Sequence, residues 1–377
     1  MRFRDVIGQK DLHHQFVQMA HKGRVPHAQL FLGPKGVGKL PMALALAQFM
    51  LCEQPQEEDS CGTCSSCRKV GKLIHPDLHL SFPTITSRGS KPTSNLFIDT
   101  FRETFLADPY LDLNDWLNAI GAENKQGNIT KEECVDIIRK LSLKTFEGKY
   151  KILILWQAEL LGKEGNALLK LIEEPPENTL FILIAEDQEA ILNTIQSRCQ
   201  ITRVHRLKDE EVTAALQEQF ELPEDNLLTI AHLANGDLHE AIQIASKGQN
   251  DHANRFLSWF RHCYKGHGPD LVEWVGEFAG IGRERQKQFI RYGLHFLREL
   301  LQVKLNEDNR PRLGELEYKT ARNMGKVLEF EQISALSELF NDLHYFVERN
   351  ANPKILFLDA SIRVHHIFRA PSRRKAG

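Results

Sequence analysis

The sequence predicts an α/β domain built on a parallel sheet, followed by a wholly helical remainder. Three observations carry this. Short apolar runs alternate with helical patterns up to about Arg206, the arrangement that gives a parallel sheet covered by helices on both faces. A glycine-rich turn at Gly33–Lys39 lies between one such run and a helical pattern. Beyond Arg206 the apolar residues recur at helical period, with no convincing strand and no internal repeat. A chain of 377 residues is long enough for two or three domains.

In order along the chain, His27–Leu32 (HAQLFL) reads as a short buried strand, and Pro41–Leu51 as an Ala/Leu-rich helix. Proline is tolerated there because its missing N–H would have no partner in a first turn. Ser, Gly, Pro and Asn clusters across Thr84–Asn128 predict a partly ordered insertion. Thr130 opens a helix, with Glu133 at capping-box spacing. Lys151–Leu155 (KILIL) and Thr179–Ile184 (TLFILI) read as buried strands, with an amphipathic helix at Asn166–Glu173 between them. Helices are then expected at Asp209–Phe220 and Asp225–Ala234, with a third beginning near Asp237. The stretch Asp251–Phe368 carries long helical patterns, among them Glu284–Leu305 and Phe330–Glu348.

The 42% hydrophobic content is ordinary for a soluble chain. No apolar run approaches the roughly 20 residues that cross a bilayer. The opening MRFRDVIGQK has no apolar signal core, which predicts a cytoplasmic protein with no membrane partner. A formal net charge of −2 argues against a protein that grips DNA alone by counterion release. Arg373, Arg374 and Lys375 read as a short solvated tail.

Four of the seven cysteines, Cys52, Cys61, Cys64 and Cys67, form C-x8-C-x2-C-x2-C. Four thiolates in a tetrahedron suit zinc, and C-x2-C spacing lets one tight turn offer two sulfurs to one ion. Gly62 stands inside the first such pair, where a tight turn is useful. A redox dithiol needs only two cysteines, and neither an open ligand position nor a base is apparent. The expectation is therefore a structural zinc that folds a small excursion with little core of its own. Cys134 and Cys263 are expected to pack within helices.

Gly33-Pro34-Lys35-Gly36-Val37-Gly38-Lys39 fits the phosphate-loop pattern G-x-x-x-x-G-K. Gly33, Gly36 and Gly38 let backbone N–H groups turn toward phosphate oxygens, and Lys39 would reach the outer phosphates. The residue that should supply a hydroxyl to magnesium is Leu40. The Asp-Glu pair expected after the strand Lys151–Leu155 is replaced by Trp156-Gln157. Losing these polar groups together predicts very little hydrolysis, because metal-assisted phosphoryl transfer depends on positioning and charge stabilisation. ATP or ADP is expected to bind weakly and without normal magnesium coordination. Glu159 is the one nearby carboxylate that could stand in as a displaced metal ligand.

Several runs together resemble one family. Phe3-Arg4-Asp5-Val6-Ile7-Gly8-Gln9 is similar to the opening of bacterial DNA polymerase III clamp-loader subunits, a branch of the AAA+ proteins. His27-Ala28 and Leu30-Phe31 before the loop, the cysteine spacing, Asn166–Lys170, Glu173–Asn178, Ser197-Arg198-Cys199 and Asn350–Pro353 match the same family in order. The resemblance covers most of residues 1–206 and returns near the end. It implies an AAA+ domain over 1–206 with a zinc module at about 52–67 and the insertion at about 84–128. A helical lid over 207–248, an oligomerising collar over 249–370 and a basic tail over 371–377 would follow. It further implies a ring-like loader that opens the beta clamp and places it on primed DNA using ATP, with gamma/tau and delta subunits as partners. In that family gamma/tau subunits hydrolyse ATP, whereas the delta-prime branch supplies an arginine to a neighbour. Leu40, Trp156 and Gln157 point to the delta-prime branch. His239, which stands where the family's lid carries a sensor arginine, and Ala185 and Glu186, where its sensor threonine is expected, are further departures consistent with a disabled site. Arg198 would then act in trans as an arginine finger, and Cys199 would pack. The alternative is an active ATPase of gamma/tau type. A zinc-dependent DNA-binding module fits poorly with the charge and with the lack of an aromatic-basic groove pattern.

Overall fold

The computed structural model describes residues 1–85, 92–122, 125–247, 250–305 and 313–370. The tail bearing Arg373, Arg374 and Lys375 lies outside the described residues, as do 86–91 and 123–124 of the insertion. The chain divides into two compact units, Met1–Ala215 with Ala234–Ile242, and Leu216–Leu233 with Gln243–Gly377.

Through the sheet region the elements are α1 (Lys10–His21), β1 (Ala28–Leu32), α2 (Lys39–Leu51), α3 (Ser65–Gly71), β2 (Leu78–Ser81), α4 (Ile98–Ala107), α5 (Leu113–Ala119) and α6 (Lys131–Ser142). β3 (Lys151–Trp156), α7 (Leu169–Glu173), β4 (Thr179–Ala185), α8 (Asn193–Gln196) and β5 (Gln200–Arg203) complete it. The five strands pair in parallel in the order β2-β3-β4-β1-β5. β1, β3 and β4 are buried at every residue, as expected of a sheet covered on both sides. Their alternation splits the interior in two. Ile152, Ile154 and Trp156 join Leu180, Ile182 and Ile184 in one core, with α2 beneath them. Leu153 and Leu155 face the other way and join Leu30, Leu32, Phe181 and Leu183 under α6.

The expected strands and helices are present, with instructive differences. β2 and β5 were not expected; each is four residues long, and β5 is an edge strand exposed at three of its four positions. The Asn166–Glu173 helix is α-helical only from Leu169, because Ala158–Leu168 winds as 3-10 helix with a break at Gly162. Thr130 caps α6 by accepting from the Glu133 N–H at 3.3 Å, but the reciprocal half of the box is not made. The buried Glu133 carboxylate instead accepts from the Ser94 N–H at 2.7 Å and the Ser94 hydroxyl at 2.5 Å. The described part of the insertion is more ordered than its composition predicts. Phe82, Phe101 and Trp116 pack as an aromatic cluster with centroids 4.1–5.2 Å apart, and the Trp116 indole donates to the Pro83 carbonyl at 2.8 Å.

Every described element after Arg203 is helical: α9 (Asp209–Gln217), α10 (Glu224–Ala234), α11 (Leu238–Lys247), α12 (Asn250–Lys265), α13 (Gly268–Phe278), α14 (Arg283–Leu305), α15 (Glu315–Val327), α16 (Phe330–Glu348) and α17 (Pro353–Arg369). The second unit has its own aromatic core, centred on Phe256, Trp259, Phe289, Phe296 and Phe340. Asn352 of the N-A-N-P run caps α17 by accepting from the Lys354 and Ile355 N–H groups, and Pro353 takes the first helical position, where no donor is needed. Among the described residues no helix is long and apolar enough to cross a membrane.

Candidate functional site

The glycine-rich turn leaves the carboxyl end of β1 and runs into α2, the position at which α/β sheets bind ligands. Its lysine is occupied internally. Lys39 is 6% exposed, and its Nζ donates to the Gly33 carbonyl at 2.7 Å and also to the Pro34 carbonyl. Glu186, just past β4, lies 3.9 Å from the same nitrogen. Burial pushes the Lys39 pKa down, and Glu186, Glu159 and Asp237 pull against it. Glu159 is itself raised by burial, although it accepts from the Glu186 N–H at 3.0 Å.

The turn is packed from outside as well. A Cβ on Gly36 would fall 1.8 Å from Asp237 Oδ1, so only glycine permits this approach. Asp237 caps α11 through the Glu240 N–H at 3.0 Å, and Gly36 O accepts from the Leu238 N–H at 3.0 Å. Lys35 lies 3.7 Å from both Asp237 and Asp112. His239 then bridges to the insertion, with Nδ1 2.6 Å from Asp108 and Nε2 2.7 Å from Asp115. Burial alone would lower the His239 pKa, but hydrogen bonds and charge from the two aspartates overcome it and raise it to about 10. The imidazolium is therefore the working form, donating from both nitrogens.

The structure places Gly33, Gly36, Gly38 and Lys39 in one turn between β1 and α2, and it packs Leu40, Trp156 and Gln157 against protein groups. Leu40 is 4% exposed and belongs to the sheet core. Trp156 packs with its ring centroid 5.9 Å from that of Phe101. Gln157 adopts φ +59° and donates to Glu186 at 3.3 Å. Asp108, Asp112, Asp115 and Lys35 escaped sequence reasoning. Asp112 and Asp115 carry a capping-box spacing on α5, but no spacing rule joins Asp108 to a histidine 131 residues away.

The four clustered cysteines meet around one point. Each pair of sulfurs lies within 4.8 Å, and Cys61 and Cys67 are 3.9 Å apart. A tetrahedral ion with Zn–S near 2.3 Å sets its sulfurs about 3.8 Å apart, so the spacing fits. Backbone N–H groups of Cys61, Cys64 and Cys67 donate to the sulfurs of Cys52, Cys61 and Cys64, each at 3.4 Å. Gly62 supplies the turn at φ +75°. Donation from the Cys64 and Thr63 N–H groups lowers the Cys61 pKa to about 6, favouring the thiolate, whereas burial raises those of Cys52 and Cys67. The loop also holds the N-terminal segment, because the Asp59 carboxylate accepts from the Phe3 and Arg4 N–H groups at 3.1 and 3.2 Å.

Arg198 follows α8. Its guanidinium is partly exposed and donates from Nε and Nη2 to Glu173 Oε2, each at 3.1 Å, and from Nη1 to the Thr194 carbonyl at 2.9 Å. Cys134 and Cys263 are fully buried within α6 and α12, and Cys199 is partly buried against the α6-side core.

The profile of a family described as DNA polymerase III, delta subunit, matches residues 8–208, just over half of the chain. A curated relative, DNA polymerase III subunit delta' of Escherichia coli, is 25% identical over 91% of this chain and 90% of its own length. Subunit tau of Bacillus subtilis is 25% identical over 96% of this chain and 61% of its own. Subunit gamma of Buchnera aphidicola is 25% identical over 66% and 59%. The chain thus spans about three fifths of the length of these gamma and tau relatives. Among solved structures, a gamma subunit-related protein of Thermotoga maritima is 13% identical over 94% of this chain and 99% of its own, with a TM-score of 0.39, too low to bear on the fold.

The His239 bridge has a pH signature. The His239 pKa is raised from 6.5 to about 10, so its contribution is complete below 6.5 and is lost as pH rises through 10. The Asp115 pKa is lowered from 3.8, net of a burial effect that opposes this, chiefly by His239; its contribution is complete above 3.8 and is lost as pH falls through the lowered value. The bridge is at full strength between about pH 4 and 6.5. Denaturant titration of His239→Ala at pH 6 should show a loss on the order of 2 kcal/mol relative to the parent chain, shrinking as pH rises above 6.5 and largely gone above 10. A loss that does not change with pH would assign His239 to packing rather than charge.

Proposed function

The chain belongs to the bacterial DNA polymerase III clamp-loader family, and from that membership we propose that it is a non-hydrolysing, delta-prime-type subunit of the loader that donates Arg198 to an ATPase site on a neighbouring subunit. The single observation that carries this reading is the packing of the side chains where magnesium ligands are expected: Leu40 and Trp156 are both buried in the sheet core, while Lys39 donates to two carbonyls of its own loop with three carboxylates around it. A nucleotide would have to displace those contacts and meet the carboxylates' charge, with Leu40 and Trp156 unable to hold the magnesium that would offset it. ATP and ADP therefore bind weakly, and magnesium adds little. An active gamma/tau-type ATPase, with Glu159 as a substitute metal ligand, is the competing reading.

The assembly follows from the family resemblance. Residues 1–206 act as the AAA+ body, 207–248 as lid and 249–370 as the collar that joins gamma/tau and delta subunits. The beta clamp and primed DNA are engaged through the complex. Cys52, Cys61, Cys64 and Cys67 would hold a zinc ion as a structural anchor and so fix the loop whose Asp59 grips the N-terminal segment. Arg198 suits its role because its guanidinium is partly exposed and is oriented by Glu173 rather than buried. A guanidinium reaching a neighbour's gamma-phosphate stabilises charge that develops in transfer. Its removal should spare this chain's fold, since an exposed ion pair contributes at most about 1 kcal/mol.

Three measurements test the reading. A loader reconstituted with Arg198→Ala should assemble normally but lose much of its clamp- and DNA-stimulated ATPase and its clamp loading. Arg198→Lys should restore little, because the planar fork is gone. Unchanged turnover in a fully assembled mutant complex would leave the chain a structural role alone. Calorimetry with ATP and ADP should give weak binding with little magnesium dependence, and a large magnesium gain would favour the active-ATPase reading. Metal analysis of protein purified without chelator should find about one zinc in the cysteine cluster, lost in Cys64→Ser; zinc retained in that variant would contradict the assignment.

A further inference from the structure

The second unit carries a cluster of different donor chemistry, unrelated to the phosphate loop and the cysteines. α14 places His295 and Glu299 four residues apart, hence on one face and one turn from each other. α10 brings His232 opposite them, and one ligand atom from each of the three lies within 4.8 Å of the others. His295 and Glu299 are 5% and 2% exposed, and His232 is half-buried. The imidazole rings of His232 and His295 stand with centroids 5.0 Å apart at 53°, too tilted to be a stacked pair. Arg298 Nη1 lies 3.4 Å from His232 Nε2. A guanidinium can only donate, so in that contact Nε2 presents its lone pair, which is the form a metal ion requires.

We propose that His232, His295 and Glu299 form a binding site for one divalent transition-metal ion of the zinc class. Two imidazole nitrogens and one carboxylate are a donor set that zinc, cobalt, nickel and copper accept and that magnesium and calcium, which seek oxygen shells, do not favour. A carboxylate taken almost wholly out of water is compatible with a dication at its side, because buried charge is tolerated when it is paired or coordinated. Metal bonds near 2.0–2.1 Å would set the donor atoms about 3.4 Å apart. Side-chain rotation closes the distance from the present spread, with Arg298 swinging off His232 toward solvent. His232, on the half-buried side, provides the entry path, and the bound ion ties α10 to α14. Three protein ligands leave the fourth position to water.

Cobalt(II) tests this on the full-length chain, because its spectrum reports the donor type. After chelator treatment under reducing conditions, the protein is titrated with cobalt. A thiolate site shows intense sulfur-to-metal charge transfer in the near ultraviolet, whereas a nitrogen-and-oxygen site shows only weak visible bands. The expected result is one equivalent with the weak-band signature, in addition to whatever the cysteines take. His295→Ala should abolish that equivalent. His232→Ala and the isosteric Glu299→Gln should weaken it at least tenfold, with the far-ultraviolet circular dichroism unchanged. His232→Ala lies at the half-buried edge, so the test survives if His295→Ala misfolds. Cobalt uptake confined to a thiolate signature, or a weak-band equivalent retained in both His232→Ala and Glu299→Gln, overturns the proposal.

Discussion

The first unit depends on one constraint: β1, β3 and β4 have no face toward water. A parallel sheet leaves its strands apolar on both sides, so both sides must be covered by helices, and the chain does this with two separate cores. The parallel sense then sends every strand's carboxyl end to the same edge. The turn after β1, Gln157 after β3 and Glu186 after β4 consequently meet around Lys39, although 29 residues separate Gln157 from Glu186 and far more separate either from the lysine.

What meets there is a network of opposed charges. Lys39 turns into its own loop, while Lys35 lies between Asp112 and Asp237. The His239 imidazolium spans Asp108 and Asp115 and so fastens the start of α11 to the insertion. In low dielectric such contacts are worth more than at a surface, and breaking one leaves a buried partner uncompensated. Leu40 and Trp156 add packing beside these charges: Leu40 enters the sheet core, and Trp156 joins the aromatic group of the insertion. Packing and paired charge thus brace this corner together.

The four clustered cysteines and the His/His/Glu cluster illustrate different routes to a metal-compatible site. In the first, three of the four ligands lie within seven residues, and three backbone N–H groups orient the sulfurs. In the second, a helical i, i+4 pair is met by a residue 63 positions before it, His232 against His295. Only the first leaves a recognisable spacing.

Local pattern was enough for the three long buried strands, the glycine-rich turn, the cysteine tetrad, and α14 and α16 nearly to the residue, because each is encoded within a few consecutive positions by periodicity or turn chemistry. The departures at Leu40, Trp156 and Gln157 could be read the same way, as could His239. Short segments could not. β2 and β5 are four residues long and owe their strand state to neighbours already in the sheet. The Thr130–Glu133 box was half right, because Ser94, 39 residues away, offered Glu133 two donors where the local cap offers one. The insertion's Ser/Gly/Pro-rich composition concealed Phe101 and Trp116, whose order comes from packing on Phe82 and Trp156. Tertiary structure alone decided that the loop lysine is satisfied internally, that His239 is held as a cation and that Arg198 rests on Glu173. Each depends on partners brought close by the sheet's topology, and the energy of a charge is set by what surrounds it in space rather than by what precedes it in the chain.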